Sequence, residues 1–317
     1  MWEQTLKKID HLITPQRMNE LWGGDSSTLK LINNQINCVY YFKRNQMGYY
    51  LRITHPTIRS YEELKASIDY QNHLFSCGAP VCKPILSNSG NYIELIVQGN
   101  LIFMATVMAE VPGQIMNFEH DDKLVYYNWG QALAKLHRAA QQYQSKPNTY
   151  KTWQDLWQES ESYLATEDQQ INQVYRKVDA WFQSLPKNEQ TYGLIHGDHR
   201  TGNVLFDGEQ IHFIDFDEPV YHWFLADIAM PFLELCAQPF MLWRHKFDWY
   251  IAGYRSILAL SDEQLKTIHW FTQMKSLGIY LWCKNNWHEE TAPGGKPRNI
   301  WLNELHSMAI NPIFPID

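Results

Sequence analysis

The apolar positions change period along the chain. The first hundred residues carry short β-branched and aromatic runs, Asn37 to Phe42 and Gly48 to Thr54, joined by the polar Lys43-Arg44-Asn45-Gln46, a pattern that predicts a hairpin. Ser60 stands in N-cap position before Tyr61, Glu62 and Glu63, and the helix it opens is expected to end near Ser76-Cys77, with Gly78 at its C-cap and Pro80 beyond. Two further strands, Tyr92 to Val97 and Leu101 to Met108, flank the turn Gln98-Gly99-Asn100, so the order reads β, β, α, β, β. The strand pattern stops at Ala109-Glu110-Val111-Pro112-Gly113, and Leu124 to Ala140 then places apolar residues at 125, 129, 133 and 136 on one helical face. Residues 1–108 therefore read as a β-rich domain, 109–113 as a hinge and 114–317 as a mainly helical domain. Near the end, Ser261 caps a single expected helix whose stripe is Leu265, Ile268, Phe271, Met274, Leu277 and Leu281. Leu194 to Ile214 interrupts the helical half with a loop and short strands.

Composition narrows the class. At 317 residues, 45% hydrophobic and only 19% charged, the chain has material for about two packed domains, which excludes disorder over most of it. Lys plus Arg total 27 against 34 Asp plus Glu, a net charge of −7, so no broad basic surface is expected and a nucleic-acid partner is disfavoured. Five scattered cysteines without a CxxC pair fit reduced thiols, and the longest apolar run, Leu101 to Ala109, is too short for a membrane span. With no secretory h-region at the start, the expectation is a cytoplasmic protein that does not engage a membrane.

The interruption carries the chemistry. Residues 196–203 are His-Gly-Asp-His-Arg-Thr-Gly-Asn and residues 214–217 are Ile-Asp-Phe-Asp, with a hairpin turning at Asp207-Gly208 between them. Such a hairpin is expected to return Asp215 to the side of Asn203, with Asp198 facing the same point from the preceding loop. Three oxygen-bearing side chains in one volume suit a hard divalent cation such as Mg²⁺ beside phosphate oxygens. Phosphoryl transfer asks little more of a protein than a base, metal ligands, a cation and in-line positioning. The five-residue spacing of Asp198 and Asn203, with a later Asp-Phe pair, matches the kinase scheme of base, first metal ligand and second metal ligand.

The His-Gly-Asp form of the first motif, the Ile-Asp-Phe-Asp segment and Leu225-Ala226-Asp227-Ile228-Ala229 after it resemble the aminoglycoside phosphotransferase and choline kinase family, including its homoserine-kinase-like and stress-kinase-like members. The resemblance spans most of the chain and is dense from 192 to 229. It implies an α+β, protein-kinase-like two-lobed fold: a small antiparallel β-sheet lobe with one helix, and a large mainly helical lobe. It further implies ATP and Mg²⁺ as cofactors, Asp198 as catalytic base, Asn203 and Asp215 as metal ligands, His196 as a brace of the catalytic loop and Asp227 as its tether, with Asp217 near the metal. In the small lobe it assigns Arg52 to the phosphates, Met108 to the adenine border, and Ala109 and Val111 to the adenine edge.

Two positions depart from the family pattern. The helix glutamate that pairs with the phosphate-binding cation falls at Ser67, for which Glu63 is the nearest substitute, and the phosphate-covering segment Leu31 to Asn37 has no glycine. Downstream, Trp270, Tyr280, Trp282 and Trp287 with Glu289 and Glu290 suit a neutral or cationic acceptor. The reading is a Mg-dependent kinase of a small-molecule hydroxyl, a monomer or homodimer. The alternatives are a protein Ser/Thr kinase, a nucleotide-binding regulator without turnover, and a metallohydrolase using His196, Asp198, His199 and His212.

Overall fold

The computed structural model of the protein describes residues 14–34, 37–292, 295–311 and 313–314. A short helix α1 (Thr14–Leu21) leads into β1 (Asp25–Asn34), β2 (Cys38–Arg44) and β3 (Met47–Thr54). Asn45 and Gln46 form the β2–β3 loop with φ of 51° and 66°, the left-handed pair whose twist matches that of the flanking strands. Helix α2 (Tyr61–Ser76) starts at a capping box in which Ser60 accepts from the Glu63 N–H and the Glu63 carboxylate accepts from the Ser60 N–H. Gly78, at φ 76°, ends it. Strands β4 (Glu94–Gln98) and β5 (Leu101–Ala109) complete an antiparallel sheet of order β1-β2-β3-β5-β4.

Period-two alternation gives this sheet two buried faces. Tyr40, Phe42, Leu51, Ile53, Phe103, Ala105 and Val107 meet Met18 and Trp22 of the α1 region on one face. Leu64 and Ile68 of α2 meet Met104 and the half-buried Met108 on the other. Arg52 alternates with Leu51 and Ile53 and pairs across the sheet with Thr106, so parity puts it on the α2 face.

Strand β1 is absent from the β, β, α, β, β order read from the apolar runs. Leu31 to Asn34, read from sequence as part of a phosphate-covering hairpin, lie in β1 antiparallel to β2, with register shifts at Asp25/Lys30 and Leu31/Asn33 that break the period a strand would otherwise display. Gln35 and Ile36 fall outside the described residues. Asn37 is buried and its amide nitrogen donates to Thr54 Oγ1 at 2.7 Å, so its amide is turned into the sheet and not toward a loop ligand.

The remaining elements are β6 (Gln114–Ile115), α3 (Lys123–Ala140), α4 (Trp153–Glu161), α5 (Gln169–Ser184), β7 (Tyr192–Ile195), β8 (Val204–Phe206), β9 (Ile211–Phe213), β10 (Val220–Trp223), α6 (Phe224–Ala229), α7 (Phe240–Arg255), α8 (Asp262–Lys266), α9 (Ile268–Asn286) and α10 (Arg298–Ile310). The single helix expected after Ser261 is two, α8 and α9. Thr267, at φ −87° and ψ 0°, turns its hydroxyl back onto the Gln264 carbonyl at 2.7 Å and breaks the ladder there. Two compact units result. One holds the described residues up to Gln114 together with Leu205–Asp207 and His212–Asp217; the other holds Ile115–Val204, Gly208–Ile211 and the chain from Glu218.

Helices α3 and α7 approach backbone to backbone through glycine. A Cβ on Gly130 would lie 1.9 Å from the Tyr250 carbonyl oxygen, and one on Gly253 would lie 1.9 Å from the Tyr127 carbonyl oxygen. Gly130→Ala is therefore expected to destabilise the protein by about 2 kcal/mol or more despite alanine's better helix propensity, read as a lower melting temperature. An unchanged or raised melting temperature would show that the two helices separate without cost.

Candidate active site

The loop between β7 and β8 is built around one buried carboxylate. Asp227 at the start of α6 accepts the His196 N–H at 2.8 Å on Oδ2 and the Gly197 N–H at 3.1 Å on Oδ1. Gly197 sits at φ 82°, and a Cβ there would fall 2.0 Å from the Glu218 carbonyl oxygen, so the His-Gly-Asp motif admits no side chain at its centre. His137 Nε2 lies 3.3 Å from Asp227 Oδ2 and His137 Nδ1 lies 2.9 Å from the Tyr254 hydroxyl. Trp129 Nε1 donates to His199 Nε2 at 2.9 Å, which leaves His199 Nδ1 to donate to the Asp227 carbonyl at 2.8 Å. His199, which must accept from Trp129, is thus held neutral with each nitrogen partnered. Glu234 adds a second fixing point, accepting from the Thr201 N–H at 2.9 Å and the Thr201 hydroxyl at 2.6 Å.

These partners set the charges. Burial opposes ionisation of Asp227, but the hydrogen bond from His137 and the neighbouring imidazoles outweigh it and hold the carboxyl well below its ordinary range. Burial lowers His137, pushes His199 down to about 4 and pushes His222 down to about 3. In the unfolded chain these histidines take up a proton near pH 6.5, whereas the folded protein resists it, so stability falls as pH drops from about 6.5 toward 4. His199 alone accounts for a loss on the order of 3 kcal/mol by the bottom of that window. Melting temperature against pH should show the decline, with a shallower slope in His199→Gln; a flat profile between pH 6.5 and 4.5 would contradict it.

The braced loop presents Asp198 and Asn203 together. Asn203 is buried, and its Nδ2 donates at 2.8 Å to both the backbone carbonyl and the Oδ2 of Asp198. Arg200, unassigned from sequence, also donates to Asp198 Oδ2, from Nε at 3.1 Å. Both donors thus meet the same carboxylate oxygen.

In the other unit, Arg52 and Asp215 meet. Arg52 Nη1 donates to Asp215 Oδ1 at 2.9 Å, Nη2 donates to Asp217 Oδ2, and Arg59 Nη2 lies 3.7 Å from that same Asp217 oxygen. Asp215 takes a left-handed φ of 65°, tolerated by Asp at small cost and typical of a side chain aimed by its backbone. Burial opposes the charge on Arg52, yet Asp217 and Asp215 raise its pKa above the ordinary value. Burial likewise pushes the Asp217 carboxyl up, against the pull of Arg52 and Arg59. Glu63, the expected substitute partner of Arg52, instead closes the α2 capping box. Ser67, at the family's glutamate position, is buried and donates its hydroxyl to the Phe216 carbonyl.

The remaining expected residues lie as follows. Met108 and Ala109 end β5, with the Ala109 N–H donating to the Lys83 carbonyl at 2.8 Å; Val111 is half-buried just beyond. Tyr280 is buried and donates to Glu167, Trp270 stacks on Trp181 with ring centres 5.4 Å apart, and Trp282 is exposed. Among the described residues no group of three or more His, Cys, Asp or Glu side chains is arranged to hold a metal ion, and both ring nitrogens of His199, a ligand in the metallohydrolase alternative, are occupied by Trp129 and the Asp227 carbonyl. All five cysteines are thiols. No helix among the described residues is long and apolar enough to cross a membrane.

Sequence reasoning missed Trp129, His137, Tyr254 and Glu234 as supports of the loop. Their spacing from 196–203 carries no local signal; only the interior position of His137 and Trp129 on the α3 face hints at polar work within a core.

Comparison with known proteins agrees with this geometry. Residues 28–260 match the model of the phosphotransferase enzyme family. Amicoumacin kinase of Bacillus subtilis is 26% identical over 274 residues, covering 82% of this chain and 80% of that protein. Among solved structures, amicoumacin kinase hAmiN in complex with AMP-PNP, Ca²⁺ and Ami superposes with a TM-score of 0.87 at 23% identity, covering 100% of this chain and 98% of that one. A microcompartment-associated aminopropanol kinase gives 0.74 at 17%, covering 93% and 94%. Both neighbours share the kinase-like α+β fold. Because the matched span runs from β1 through Arg52, the 196–203 loop and the Ile-Asp-Phe-Asp segment into α7, the chain belongs to the phosphotransferase enzyme family and is an ATP-dependent kinase of a hydroxyl acceptor.

Proposed function

We propose that the protein transfers the γ-phosphoryl group of Mg-bound ATP to a hydroxyl of a neutral or cationic small molecule, with Asp198 as the base. The observation that carries this reading is the asymmetry of the Asp198 carboxylate: Arg200 and Asn203 both donate to Oδ2, which leaves Oδ1 as the oxygen to receive the acceptor's proton. His196 holds the loop from beneath through its Asp227 bond. Asn203 commits its Nδ2 to Asp198, so its Oδ1 is the atom that suits a hard cation, and Asp215 supplies carboxylate oxygen from its left-handed position. Both are oxygen donors of the kind that suits Mg²⁺, an ion that would supply neutralisation of charge on the phosphates. Arg52 contacts the phosphates, Met108 borders the adenine, and Ala109 and Val111 meet its edge.

The acceptor class follows from relatives and charge. One relative is an amicoumacin kinase and one structural neighbour an aminopropanol kinase, and both names denote small molecules. Exposed Trp282 with Glu289 and Glu290, on a chain of net charge −7, favours a neutral or cationic body over an anionic one. A cytoplasmic setting agrees with the thiol state of the cysteines. The test is incubation of the purified protein with Mg-ATP and pooled metabolites, followed by mass spectrometry for products heavier by one phosphoryl group. Such products, absent when ATP is omitted, support the reading. Phosphate appearing only on added proteins or on the chain itself would replace it with a protein kinase.

A further inference from the structure

Arg52 is gripped along its whole guanidinium edge. Asp215 takes Nη1 at 2.9 Å, Asp217 takes Nη2, and the Asn37 amide oxygen lies 3.1 Å from Nε in the orientation that also lets its nitrogen donate to Thr54. Ser67, where the family resemblance leads to a glutamate, instead donates to the carbonyl of Phe216, the residue between the two aspartates. We infer that Asp217 is a positioning residue that does the work of the missing helix glutamate, holding Arg52 in place for the nucleotide phosphates, while Ser67 pins the backbone that carries it. The inference rests on the proposed contact of Arg52 with phosphate.

Asp217 is the partner of the two that stays. The Asp215 side chain is 38% exposed and is proposed to face the cation, so nucleotide binding draws it away from Nη1 and opens that nitrogen to phosphate. The Asp217 side chain is only 18% exposed, and Arg59 reaches its bonding oxygen from 3.7 Å. Two cations face two carboxylates here, a set without net charge, so Arg52 is pre-oriented before any phosphate arrives and loses less side-chain freedom on binding. A carboxylate entering from α2 at position 67 would add a third negative group to this balanced set.

Calorimetric titration of Mg-ATP into the full-length protein tests this without turnover. Asp217→Asn and Arg52→Gln should each weaken binding about tenfold or more, and the double variant should bind no more than about twofold more weakly than Arg52→Gln, because Asp217 acts only through Arg52. Asp217→Glu should recover most of the affinity. In steady-state assays the ATP KM should rise while the acceptor KM holds. Native affinity in Asp217→Asn beside a large loss in Arg52→Gln would overturn the inference and leave the Arg52 assignment standing. Native affinity in Arg52→Gln would overturn both. Fully additive losses would mean that Asp217 acts apart from Arg52, which also overturns it. Should Asp217→Asn fail to fold, Asp217→Ser is titrated in its place: a loss of about tenfold that disappears in the Arg52→Gln background supports the inference, and native affinity in Asp217→Ser overturns it.

Discussion

Asp198→Asn is expected to lower kcat by about 10²- to 10⁴-fold while leaving the dissociation constant for Mg-ATP within about threefold. The amide keeps an acceptor for Arg200 Nε and Asn203 Nδ2, the two donors that now meet Oδ2, so the loop keeps its shape. It loses the one property the reaction needs, an oxygen able to take a proton. Single-turnover measurements at saturating acceptor separate this from slow product release. The contrasting variant is Asp215→Ala, which should weaken Mg-dependent nucleotide binding itself, since Asp215 is assigned to the cation. If Asp198→Asn turned over at near-native rate, the proton would be going elsewhere and the loop would lose its assigned chemistry.

Asp227→Asn is expected to destabilise the protein by about 3–5 kcal/mol and to abolish turnover together with it. The carboxylate receives two backbone N–H groups, from His196 and Gly197, and faces His137 on the side of Oδ2. An asparagine amide placed there points an NH₂ at one donor or another whichever way it lies. The buried N–H left facing it loses its partner, and no water replaces it in a site where His137, His196 and His199 are fully buried. A melting temperature lower by about 6–15 °C is the corresponding reading for a protein of this size. A variant with native melting behaviour and native kcat would show that the loop holds its geometry without this tether.

The pattern of local and distant signals explains what the sequence revealed. The Ser60 N-cap and the hairpin loop holding Asn45-Gln46 are each written within a few neighbouring positions, and each appears in the structure where it was expected, whereas the use of Glu63 in that cap was not foreseen. Strand β1 was hidden because its bulges break the alternation that advertises a strand, and the break at Thr267 was hidden because the stripe on α9 continues through it. In the candidate site, the place of Arg52 on a central strand was legible from strand order but its partners were not. Asp215 and Asp217 lie 163 and 165 residues away, and no local rule links a strand arginine to either. The same holds for Trp129, which meets His199 across 70 residues.

Those long separations bear on how the chain is made. The N-terminal unit is not a contiguous stretch: Phe213 donates to the Pro80 carbonyl at 2.8 Å and accepts from the Cys82 N–H at 3.2 Å, and Phe216, Asp215 and Asp217 are bound to Ser67 and Arg52. As the polypeptide leaves the ribosome, the sheet and α2 emerge first, with a cation set among apolar side chains and nothing yet to neutralise it. About a hundred further residues must be synthesised before its carboxylates arrive. The first unit therefore matures late, and a fragment ending at Gln114 would be a poor autonomous body, with Arg52 still lacking the carboxylates of Asp215 and Asp217 and Ser67 the carbonyl of Phe216.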